Sequence, residues 1–192
     1  MKAAFPFLAA AALLLAGCAT PAYTNIGAEQ TVLVTDGISV SPQIQWGKAN
    51  MTGFNGTLWT VDGAGLDALL FFVGSPGRPL IESQASKDDT HVYQSSMLPD
   101  DVMELLAANF QRIGFQQVKT SNLRPSAFGG AIGFRFDISY TTTIGLEMKG
   151  MALACQRDGR LDLIVFLAPA EYYFGHYAPA VDRLFASVQV AG

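Results

Sequence analysis

The chain has 192 residues, half of them apolar and 15% charged, with 19 Gly, 9 Pro and 2 Cys. That length suits one domain able to bury a full core, and the composition fits neither a disordered chain nor a disulfide scaffold. A net charge of −4 without a Lys/Arg cluster argues against nucleic acid as a partner.

The first 18 residues read MKAAFPFLAAAALLLAGC. Lys2 precedes an apolar run from Ala3 to Ala16, interrupted only by Pro6. A helix across a roughly 30 Å hydrocarbon core needs about 20 residues, so this run is too short to span and has the proportions of a signal-peptide core. Its last four residues, Leu15-Ala16-Gly17-Cys18, resemble the lipobox of bacterial lipoproteins. The resemblance implies a diacylglyceryl group on the Cys18 thiol, cleavage between Gly17 and Cys18, and acylation, for example by palmitate, of the new amino group. It also implies a membrane partner through that lipid. Ala19 stands where an Asp commonly retains such proteins in the inner membrane, which implies the outer membrane with the domain in the periplasm. The alternative is an ordinary signal peptide with Cys18 as a bystander. Residues 1–17 are thus read as a signal peptide, 18–30 as lipidated cysteine and flexible tether (Pro21 and Gly27 without periodicity), and 31–192 as one domain.

From Thr31, turn signals punctuate apolar segments. Thr31–Thr35 and Ile38–Trp46 flank Asp36-Gly37, a favoured hairpin turn. The second segment alternates Ile38, Val40, Pro42, Ile44 and Trp46 against polar residues, as a half-buried strand does, and Pro42 predicts a sheet edge. Thr57–Val61 and Leu66–Val73 form a second hairpin around Asp62-Gly63-Ala64-Gly65. Residues 83–98 are polar and read as a loop. Pro99–Ile113 predicts a helix, with an apolar stripe of Val102, Leu105, Leu106, Phe110 and Ile113, Asp100 and Asp101 at its positive end, and Gly114 as its stop. Ala131–Tyr140 alternates strictly. Ile144–Gln156 alternates with a parity switch after Gly150, which predicts a bulge there. Leu161–Ala168 is nearly all apolar, the pattern of a strand covered on both faces. A last helix starts near Pro179, because Gly175 interrupts the segment before it.

The expected fold is therefore α+β: an antiparallel sheet of about six to seven strands, built from hairpins and a meander and flanked by two main helices. The meander followed by a C-terminal helix resembles the PsbP/Mog1-like fold. That fold carries several unrelated roles, so the resemblance implies an architecture and no activity.

Chemistry is sparse. Gly63-Ala64-Gly65-Leu66-Asp67-Ala68 satisfies a dinucleotide-binding pattern, but the residues after it have the length of a strand, not of the helix that a pyrophosphate requires. Asp88, Asp89 and His91 sit together in a polar loop that reads as solvated, so no metal or other cofactor is assigned. No G-x-S-x-G elbow is present. Cys155, between apolar neighbours, reads as a buried small hydrophobe. The most suggestive segment is Tyr172, Tyr173, Phe174, His176 and Tyr177, which either completes the core or forms a recognition patch. The sequence thus points to a lipid-anchored envelope lipoprotein with a non-enzymatic binding or scaffolding domain and an envelope protein as partner. The alternatives are a small periplasmic enzyme using loops 83–98 and 169–178, or a carrier of a small apolar ligand.

Overall fold

The computed structural model describes residues 23–49, 56–82 and 91–191. In chain order these form β1 (Tyr23–Ile26), β2 (Val32–Thr35), β3 (Ile38–Val40), β4 (Trp46–Ala49), β5 (Gly56–Thr60), β6 (Ala68–Gly74), α1 (Pro99–Arg112), β7 (Gln116–Phe128), β8 (Ala131–Thr141), β9 (Glu147–Arg157), β10 (Arg160–Pro169), α2 (Tyr173–Ala186) and β11 (Gln189–Val190). Eight strands make one antiparallel sheet in the order β1-β4-β5-β6-β10-β9-β8-β7, and β11-β3-β2 make a second, small one. The α+β class, the antiparallel pairing and the two helices are as expected. The strand number is larger, because short or polar strands leave little periodic signal.

The apolar run Leu161–Ala168 lies in β10, inside the large sheet, and both of its faces are covered. Leu161, Leu163, Val165 and Leu167 share one core with Val102, Leu106 and Phe110 of α1. Ile164, Phe166 and Ala168 share the other with Val181, Leu184 and Phe185 of α2 and with Val34, Ile38 and Val40 of the small sheet. A buried Leu, Val or Phe side chain contributes about 1.5–3 kcal/mol, so these two cores dominate the stability.

Helix α1 begins at Pro99, and the Asp101 carboxylate accepts the Leu98 N–H at 2.8 Å, closing its first turn. Gly114, at φ +100°, ends it in a conformation that favours glycine. The buried Asn109 on this helix accepts the Ile81 N–H at 3.2 Å and donates to the His91 carbonyl at 3.2 Å. One amide therefore ties together two points, Ile81 and His91, of the connection from β6 to α1. Residues 91–98 carry no regular structure, as expected of a loop; 83–90, with Asp88 and Asp89, lie outside the described residues.

Several boundaries are corrected. Tyr23–Ile26 was expected in the tether, but it pairs with Trp46–Ala49 as an edge strand, so the domain starts earlier than residue 31. Ile38–Trp46 is not one strand: the chain leaves β3 at Ser41, passes Pro42 and a left-handed Gln43 (φ +70°), and enters the large sheet at Trp46. Its alternating burial is real, but it spans two sheets, and Pro42 marks the crossing between them. Ile144 and Leu146 lie in the β8–β9 turn, where the Thr142 N–H donates to the Leu146 carbonyl at 2.9 Å. No bulge occurs at Gly150, which pairs in register with Ile138 on one side and Leu167 on the other. The apparent parity switch has another cause. Met148, Gly150, Ala152 and Ala154 face α1 throughout, while on the opposite face exposed Glu147 and Lys149 give way to covered Met151, Leu153 and Cys155.

At the far end of β10, Asp162 is fully buried. The Arg157 Nε donates to it at 2.6 Å, and the Arg160 Nε lies 3.3 Å from its other oxygen. Arg160 also donates to the Asp36 carbonyl at 2.7 Å, in the turn between β2 and β3. The charge cluster thus joins the small sheet to the large one.

Candidate functional site

β10 ends at Pro169, and the Ala170 N–H continues its ladder to the Glu147 carbonyl at 3.0 Å. The chain then turns into α2 at Tyr173, six residues before the start expected from Pro179. Gly175 does not interrupt this helix. It stands four residues before Pro179, where a proline ring presses against the carbonyl, and its missing Cβ would meet nothing within 4 Å.

Helical geometry sorts the aromatic segment. Tyr173, Phe174 and Tyr177 turn inward and pack against the second core. Phe174 stacks on the buried Phe166 with centroids 6.0 Å apart, and Tyr177 lies 6.5 Å from Trp46. Tyr172, 61% exposed, and the exposed His176 face outward and stack on each other at 5.3 Å with 15° between planes. The segment is thus both core and surface. Phe174→Ala should cost about 1–2 kcal/mol, less than the ~3–5 kcal/mol of a fully buried ring, whereas Tyr172→Ala should stay within about 0.5 kcal/mol. Denaturant melts of the two variants check this, and equal costs would contradict the division.

Tyr177 connects the patch to the β5–β6 loop by donating its phenol hydrogen to Asp62 at 2.5 Å. Burial, then the bond to Asp62, raises the Tyr177 phenol pKa above its ordinary value, so the group remains a donor at neutral pH. The loop is shaped by Asp67, a fully buried carboxylate that accepts the Val61 and Asp62 N–H groups, each at 2.7 Å, and the Thr60 hydroxyl at 3.1 Å. Burial raises the Asp67 pKa, and the three hydrogen bonds oppose that rise. The glycine pattern at 63–68 is this loop and the start of β6, as expected of a hairpin.

Beside Asp62 opens a cleft of about 500 Å³, lined by Tyr23, Asn25, Gln45, Trp46 and Thr60 among others. The sequence reading missed it. Its walls come from β1, β4 and β5, and nothing in their linear spacing shows that they meet.

The other candidates stand apart. Cys155 is buried, its Sγ lies 3.5 Å from the Ile132 carbonyl, and burial followed by the nearby Asp162 charge raises its pKa. It should resist thiol reagents in the folded protein and react on denaturation; rapid labelling of the native state would overturn the structural role. His91 is exposed at the opposite end of the fold from α2's first turn. Met97, in the same loop, binds Gln156 near one end of β9, while Ala170 binds Glu147 at the other. The interval is roughly 30 Å at the ~3.3 Å rise of a strand, so the described parts of loops 83–98 and 169–178 do not build one site. Among the described residues no group of three His, Cys, Asp or Glu is placed to hold a metal, and no helix is long and apolar enough to cross a membrane. Gly17 and Cys18 lie outside the described residues.

No protein-family profile and no curated protein matches the sequence. The fold does have solved counterparts. The solution structure of the PsbP of the cyanobacterium Synechocystis sp. PCC 6803 (CyanoP) superposes with a TM-score of 0.54 at 13% identity, covering 91% of this chain and 95% of that one. The chain has a PsbP-like fold. LpqN of Mycobacterium tuberculosis, described as involved in cell envelope biogenesis, aligns at a TM-score of 0.44 and 8% identity over 90% of this chain and 86% of that one. At these identities the likeness concerns architecture alone.

Proposed function

We propose that this chain is a lipid-anchored envelope protein, held in the outer membrane through Cys18, whose domain binds another component of the envelope and catalyses no reaction. The observation that carries the binding role is the aromatic surface at the start of α2. Tyr172 and His176 are presented outward from a helix that is fixed to the core by Phe174 and Tyr177. Exposed rings on a rigid element favour recognition, because little side-chain entropy is lost on contact. The lipobox-like Leu15-Ala16-Gly17-Cys18 supports the anchor, since two or more acyl chains hold a protein stably to a bilayer where one does not. Only residues 19–22 separate Cys18 from β1, so at about 3.5 Å per residue the domain would begin within roughly 17 Å of the lipid.

The test has two parts. Wild-type protein from the native envelope should carry a diacylglyceryl mass on Cys18, and Cys18→Ser should abolish it and release the domain from carbonate-washed membranes. Crosslinking in the envelope through a photoreactive group at position 172 should capture a defined component. An unmodified Cys18 removes the anchor from the reading, and the absence of any specific crosslink removes the binding role.

A further inference from the structure

The cleft beside Asp62 has a chemistry that the aromatic surface alone does not define. Its exposed ring is Tyr23, 41% accessible, on the edge strand β1. Trp46 forms part of the lining, with its indole N–H donating to the Pro42 carbonyl at 3.0 Å, so that donor is already used. The Asn25 and Gln45 side chains are different. Both are exposed in the cleft, and neither amide has a hydrogen-bond partner among the described residues. Each amide offers two N–H donors and a carbonyl acceptor. Asp62 adds an acceptor whose position is held from behind, through Tyr177 on Oδ2 and through its own N–H bonded to Asp67.

No lysine or arginine is present among the described lining residues. An anionic ligand would meet Asp62 without a compensating cation. A strongly cationic ligand would find a single carboxylate that already accepts a phenol hydrogen. What remains is a neutral ligand with an apolar face for a tyrosine ring and several hydroxyls that both donate and accept. We propose that this cleft is a binding site for a neutral saccharide, with one pyranose ring stacked on Tyr23 and its hydroxyls bonded to Asn25, Gln45 and Asp62. A volume of about 500 Å³ suits one or two sugar rings. The inference rests on the binding role proposed above and names the class of its ligand.

Trp46 and Trp59 are the chain's two tryptophans, and their rings lie 6.4 Å apart, so intrinsic fluorescence reports this region directly. The full chain, kept in a polyoxyethylene detergent so that no sugar headgroup competes, is titrated with cellohexaose, chitohexaose and maltohexaose. Hexagalacturonate and spermidine serve as anionic and cationic counter-probes. At least one neutral hexaose should give a saturable change, half-complete at about 1 mM or below. Tyr23→Ala and, separately, Asn25→Ala should weaken it at least about tenfold while leaving the thermal midpoint unchanged. Both positions are exposed, so neither substitution threatens folding. No response to any neutral hexaose overturns the proposal, as does a response that both variants retain or one that the counter-probes match. A saccharide failure with the position-172 crosslink intact removes this ligand class and leaves the binding role standing.

Discussion

Gly150→Ala should cost about 3 kcal/mol or more, beyond the usual range for one added methyl in a core. A Cβ at this position would stand 2.6 Å from the Phe166 carbonyl oxygen and 2.7 Å from both Ile138 Cγ2 and Leu167 Cδ2. The side chains could rotate away, but the carbonyl could not. β9 is paired along its length to β8 and β10, so relief on one side compresses the other. The clash therefore has to be resolved by breaking ladder bonds in the interior of the sheet. Urea unfolding, followed at constant m-value, measures the cost; a loss below about 1 kcal/mol would show that the strands have more freedom than their pairing implies.

The second large effect is expected at Asp162. Asp162→Ala should destabilise the fold by about 3–5 kcal/mol, because it leaves Arg157 and Arg160 facing a cavity without their carboxylate. The arginine side chains are 18% and 25% exposed, which places the cost toward the lower end. Asp162→Asn keeps an acceptor and should cost less. The loss should also be local at first. Arg160 holds the Asp36 carbonyl, so amide hydrogens of β2 and β3 should exchange faster in the variant than those of β8 and β9. Uniform acceleration across both sheets would show that the cluster supports the whole fold and not the junction.

The legible parts of this fold share one property: a local pattern that agrees with the tertiary environment. β10 reads as a doubly covered strand because it is one, and α1 displays its stripe, its acidic first turn and its glycine stop in linear order. β7 was not foreseen. Its thirteen residues are mostly exposed on both faces, so a strand of this kind has no hydrophobic alternation to display. β1 and β11, of four and two residues, are set by their partners and not by their own composition. The start of α2 was misplaced because Gly175 and Pro179 are individually poor helix residues. Tertiary contacts of Phe174 and Tyr177 outweigh them. The aromatic surface was visible as composition, although its division into inward and outward rings needed the helix. The cleft was invisible, since Tyr23, Gln45 and Asp62 meet only when three strands are laid side by side.

β7 has a further consequence. It forms one border of the large sheet, and a border of thirteen residues is long enough to template growth by a second molecule. Two irregularities interrupt its register, between Gln116 and Lys119 and between Ser121 and Arg124, with left-handed Gln117 and Asn122 at the kinks. Lys119, Arg124 and Pro125 add charge and remove a donor along the same border. Protein tethered to a bilayer is confined to two dimensions, where neighbours collide far more often than in free solution. A straight, fully bonding border there would invite end-to-end polymerisation. The broken register of β7 would thus keep the anchored protein proposed above from templating its neighbours.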